Sequence, residues 1–180
     1  MNAQRPRPAR RMAVTGLLAA LAVVLLWLAG VSEVASLSVL VLAGTVIAVA
    51  VVECGVAWGG ACLVSSALLG LILSPDKVNA ALYLLLFGAF PIVKALCERR
   101  RGGRLAEYAG KFLFANFVFF LLYLGARLFS LDVGVLGALP WWAWPLLVLL
   151  ANGVLLLYDL VLTRLVTFYL YRIRPRLGAR

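Results

Sequence analysis

Residues 78–129 read VNAALYLLLFGAFPIVKALC (78–97), ERRRGGRLAE (98–107) and YAGKFLFANFVFFLLYLGARLF (108–129). Two apolar runs, each about as long as the roughly 20 residues that cross a hydrocarbon core as a helix, flank a short segment carrying Arg99, Arg100, Arg101 and Arg104. Carrying such a basic loop across a bilayer is unfavourable, so it stays on the cytoplasmic side. The order apolar, basic, apolar makes this stretch a helical hairpin in a membrane.

The same grammar extends outward. Arg5, Arg7, Arg10 and Arg11 precede the first apolar run, and Arg172, Arg174, Arg176 and Arg180 follow the last. The loops that alternate with the basic ones carry only Lys77 as a basic residue, and the turn at 55–60 is uncharged. The expectation is an all-α, polytopic six-transmembrane-helix bundle with both ends cytoplasmic. Its spans fall at about 13–30, 36–54, 58–73, 78–97, 108–129 and 141–170, after a basic tail at 1–12. Hydrophobic residues make up 65% of the 180-residue chain and charged ones 13%, unlike a soluble domain. Little is left for a second domain, so 1–180 reads as one integral membrane domain. The net charge of +10 sits beside apolar runs, which implies anionic lipid headgroups and not nucleic acid. Trp141, Trp142 and Trp144 belong to an outer interfacial belt, with Trp58, Phe168, Tyr169 and Tyr171 as its inner counterpart. The first run is longer than the 7–15 residues of a signal peptide's apolar region, so it reads as a retained span.

Absences narrow the chemistry. The chain has no histidine, which removes Ser-His and Cys-His nucleophile pairs and the commonest metal ligand. It has no P-loop, so it supplies no ATP hydrolysis of its own. Cys54, Cys62 and Cys97 lack metal-ligand spacing. No catalytic residue, cofactor or metal site is expected, and the chain reads as a non-enzyme.

Polar groups inside spans are the informative ones, because charges there must pair or face a cavity. Asn116, Tyr123 and Arg127 share one helical face at i, i+7, i+11, and Asn152, Asp159 and Thr163 repeat that spacing. Tyr83, Phe87, Phe90 and Lys94 form a third stripe. The expectation is a partly polar lining, with Tyr83, Tyr123, Arg127 and Asn152 in the outer half and Lys94, Lys111 and Asp159 in the inner half. Structural readings stand beside it. Lys94 and Glu98 are four apart and can pair, Lys111 and Arg164 can snorkel to headgroups, and Asp159 can partner one of them. Asn116 and Asn152 can join helices without any ligand. Gly16 and Ala20 form a small-xxx-small pair on the first span, suited to close approach within the bundle or against a partner. Gly88 and Pro91 favour a kink, because Pro91 cannot donate to the carbonyl of Phe87.

Six spans in this length, cytoplasmic ends, a small-residue face on the first span and polar faces on the last three resemble the substrate-binding S component of energy-coupling factor transporters. The segment FGAFPIVK (87–94), followed by Glu98 and by 111–116, also resembles a group of uncharacterised bacterial membrane proteins. The S-component resemblance covers nearly the whole chain. It implies a bacterial cytoplasmic (inner) membrane, uptake of a vitamin-like micronutrient, and partnership with a transmembrane coupling subunit and ATPases. Gly16 and Ala20 would then contact the coupling subunit, and Tyr83, Asn116, Tyr123, Arg127 and Asn152 would line an outward-opening pocket. The loop at 31–35 is shorter than the one with which vitamin-binding members often close their site, and no vitamin-specific motif is present. The rival reading is a non-transporting scaffold subunit of a cell-envelope complex, since one architecture serves many roles.

Overall fold

The computed structural model describes residues 8–32, 35–99, 103–128 and 143–173, and every regular element among them is helical. Helices α1 (Pro8–Val31), α2 (Ser36–Cys54) and α3 (Val56–Leu73) come first. A helix in three pieces follows: α4 (Lys77–Leu82), a π-helical turn (Tyr83–Phe87) and α5 (Ala89–Arg99). Helix α6 (Gly103–Leu128) and helix α7 (Ala143–Phe168) complete the chain, α7 ending in a second π-helical turn (Tyr169–Ile173). Among the described residues, five segments are long and apolar enough to cross a membrane: Ala9–Val31, Ser36–Cys54, Val56–Leu73, Lys77–Arg99 and Val148–Arg172. By length and composition this is an all-α, multi-pass membrane protein. In α6 the apolar stretch whose side chains are described is Tyr108–Leu122, and five long apolar helices are what the described residues show.

Small residues hold the first three helices together. The buried face of α1 consists of Thr15, Ala19, Ala22, Leu26 and Ala29, spaced by three and four residues as one helical stripe requires. Gly70 of α3 lies so near Leu26 of α1 that a methyl there would displace the flexible end of that leucine, and the small residues of both helices allow the approach. Gly55 alone links α2 to α3, at φ +97°, a conformation that strains residues with a Cβ. The thiols of Cys54 and Cys62 make weak contacts to the carbonyls of Arg11 and Thr15, at 3.9 and 3.7 Å. They bring the start of α1 to the Gly55 end of the bundle.

The turn at the opposite end is built from its own polar groups. Asp76 caps α4, its Oδ1 accepting from the backbone N–H of Val78 at 2.8 Å. Lys77 donates to the carbonyls of Leu71 and Ser74 at 2.7 and 2.9 Å, groups that the end of α3 leaves without helical partners. The one basic residue that the sequence places in these loops is therefore occupied in closing a helix. Asn79 Nδ2 donates to Ala29 O at 3.3 Å and ties the turn to α1.

Tyr83, Phe87, Phe90 and Lys94 are all buried, so the third stripe faces inward as its spacing implies. The kink expected at Gly88 and Pro91 takes the form of a π-helical turn, with the Gly88 N–H bonded to Tyr83 O at 2.7 Å. Such a turn inserts an extra residue into the helix, just before the point where Pro91 withholds its donor.

Candidate functional site

Ionisable side chains enter the apolar body where α5, α6 and α7 meet. Lys94 on α5 donates to Asp159 Oδ1 and, at 2.6 Å, to Thr163 Oγ1, both on α7. Lys111 on α6 donates to Asp159 Oδ2 at 3.1 Å. Each carboxylate oxygen of Asp159 thus accepts from a different lysine. Glu98, on the same helix as Lys94, places one oxygen 3.5 Å from Lys94 Nζ and 3.7 Å from Lys111 Nζ. Charge is balanced among these four side chains, the arrangement that lets lysines sit inside a bundle at tolerable cost.

A narrow cleft opens beside this cluster, lined by Phe90, Phe112, Ala115, Leu155, Leu156 and Tyr108 together with Lys111 and Asp159. Its free volume is about 10 Å³, roughly one water. The Lys111 ammonium also lies 5.6 Å from the centre of the Tyr108 ring, within cation–π range.

The register of α7 against α5 is set one residue from Asp159. Pro91 has no N–H, so the carbonyl of Phe87 lacks its normal helical donor. The Tyr158 hydroxyl supplies one, at 2.8 Å. The Tyr158 ring packs edge-on to Phe87 at 5.3 Å and tilted against Phe90 at 5.4 Å. Gly44 of α2 makes the room: a methyl there would collide with the Tyr158 hydroxyl and stand 2.6 Å from Phe87 O. Tyr158, Gly44 and Ser66 are absent from the sequence reading. The signal for Tyr158 was available, because a buried carbonyl freed by proline needs a donor.

Asn116 and Asn152 meet across the seam of α6 and α7. Each Nδ2 donates to the other's Oδ1 at 3.3 Å and to the carbonyl four residues back, Phe112 O or Val148 O, at 2.8 Å. Both N–H donors of each amide are therefore in use. Asn116 is exposed on the surface of the bundle, while Lys111, Ala115 and Val118 form the buried face of α6. The expected polar face thus lies at the edge of the buried one, where the corresponding edge of α7 meets it.

Tyr83 is fully buried in the core, and its hydroxyl is 2.8 Å from Ser66 Oγ on α3. The structure does not direct that hydroxyl into a lining shared with the asparagine pair. The side chains of Tyr123 and Arg127 lie outside the described residues, as do residues 129–142 with Trp141 and Trp142 of the expected outer belt. Gly16 and Ala20 point away from the bundle, and a methyl added at Gly16 would meet nothing within 4 Å. Close approach within the chain uses the other face of α1. Comparison of the chain with protein-family models, curated protein sequences and solved structures gives no match.

Proposed function

We propose that this chain is a membrane-embedded binding subunit that takes up a small molecule between α5, α6 and α7. The observation that carries the reading is the Lys94–Asp159–Lys111 cluster, buried beside a cleft. Ionisable groups inside apolar helices are expensive and concentrate where substrates or ions are handled. In this reading α6 is the sixth span. Its 26 residues reach about 39 Å at 1.5 Å per residue, and the arginine-rich ends and the 98–107 loop stay on the cytoplasmic side. The cluster then lies toward the cytoplasmic half, and Arg127 toward the outer end of α6. Energy would come from partner ATPases through a coupling subunit docked on the outward Gly16–Ala20 face, as the resemblance to S components implies.

A scaffold role in a cell-envelope assembly is the second reading, favoured by the closed Asn116–Asn152 pair and the one-water size of the cleft. Native mass spectrometry of the full chain, purified gently in detergent, separates the two. A co-purified small molecule that disappears on Lys111→Met or Arg127→Ala supports the binding subunit. An empty chain carrying membrane proteins other than a coupling subunit and ATPases overturns it in favour of the scaffold.

A further inference from the structure

We propose that α5 is a hinged lever that opens the cleft, turning on the π-helical turn Tyr83–Phe87 and latched by the Tyr158 hydroxyl; this deepens the reading of the cleft as a binding site and rests on it. At about 10 Å³ the cleft holds one water, so a ligand enters only when one wall moves. Two of the walls are tied to each other. Helices α6 and α7 share the Lys111–Asp159 bond and the two bonds between Asn116 and Asn152. The third wall, α5, is bonded to α7 by side chains that reach across: Lys94 to Asp159 and Thr163, and Tyr158 to Phe87 O.

The ladder of helical hydrogen bonds is interrupted twice just where α5 begins. Gly88 bonds back to Tyr83 O, one residue further than an α-helix allows, and Pro91 offers Phe87 O no donor. Prolines and π-helical turns are where helices bend, and Gly88 stands between the turn and α5. The pivot itself is clamped. The Tyr83 hydroxyl bonds Ser66 of α3, and a methyl on Gly44 of α2 would stand 2.6 Å from Phe87 O. Beyond the pivot the helix loosens: Phe90 and Pro91 are buried, whereas Leu96, Glu98 and Arg99 at the far end are exposed. A fixed base and a freer tip are what a hinged element requires. Lys94 remains a partner through the motion, because its four-carbon stem lets the ammonium follow Asp159 while the backbone moves. Tyr158 holds the closed position. Its hydroxyl replaces the donor that Pro91 withholds, and its ring rests on Phe90.

The test is hydrogen–deuterium exchange of the full chain in neutral detergent, reading peptides of α5 against peptides of α2, since exchange reports local opening. Tyr158→Phe should speed exchange in α5 about fivefold, the net effect of one hydrogen bond, and leave α2 unchanged. Pro91→Ala gives Phe87 O a helical donor and should slow exchange in α5 by about the same factor. Unchanged exchange in α5 in both variants overturns the lever. An equal rise in α5 and α2 in Tyr158→Phe also overturns it, because the tyrosine then supports the whole fold and no local hinge. Native mass spectrometry of the same preparations separates the lever from the reading it rests on. A co-purified small molecule together with unchanged α5 exchange leaves the binding subunit standing and removes the lever. Conversely, α5 responding to both variants in a chain that carries no small molecule keeps the lever and removes the uptake role.

Discussion

The seam of α1 with α3 and the seam of α6 with α7 join helices by opposite means. Ala19, Ala22, Leu26 and Gly70 bring the first pair together through small side chains, with no side-chain ion pair among them. The second seam is closed by Asn116 with Asn152 and by Asp159 between two lysines. Lipid tails are as apolar as leucine, so helices in a bilayer gain nothing from hiding oil from water. Close van der Waals packing and polar contacts must do that work. Packing of the first kind makes a rigid platform. Contacts of the second kind are directional and place charge inside the bundle.

Asp159→Ala should break the contrast most severely. It removes the carboxylate that accepts from both Lys94 and Lys111, and losing one partner of a buried pair costs about 3–5 kcal/mol. Thermal melting of the detergent-solubilised chain reads the loss, and wild-type melting would mean that the cluster is hydrated and contributes little. Gly44→Ala should come next. Its methyl meets the Tyr158 hydroxyl and the Phe87 carbonyl, an overpacking worth about 1–3 kcal/mol. Combined with Tyr158→Phe, the penalties should sum to less than their parts, because removing the hydroxyl relieves one clash. Strict additivity would show that Gly44 does not serve that hydrogen bond.

Asn116→Ala and Asn152→Ala should each cost only about 0.6 kcal/mol, the average for a polar contact between membrane helices. The double variant should cost little more than either single one. A loss much larger than this would place the pair in the category of the charged cluster. Gly16→Leu should have the smallest effect on the isolated chain, within about 0.5 kcal/mol, since nothing lies near that position. The same variant should abolish co-purification of any coupling subunit. A sharp fall in melting temperature would instead show that the outward face of α1 packs within the chain.

Much of the fold was legible before any coordinates. Span 36–54 coincides with α2, and span 58–73 lies within α3. Apolar length and turn chemistry are local properties, so reading along the chain suffices. The 108–129 run was legible as a helix as well, and α6 runs from Gly103 to Leu128. At the site, residue types were legible and partners were not. Spacing showed that Lys94 and Glu98 share a face, but only the crossing of α5 and α7 sets Lys94 on Asp159 and Thr163.

What the sequence determined by itself was the solvent of this protein, its helical class and the positions where charge enters apolar helices. Hydropathy and arginine placement act residue by residue and need no knowledge of neighbours. Only the tertiary structure decided that Asn116 and Asn152 satisfy each other, that Tyr83 belongs to Ser66, and that Tyr158 supplies the donor Pro91 withholds. Those outcomes depend on helix rotation and depth. Close packing around Gly44 and Gly70 fixes both, and no periodicity along a single helix records them.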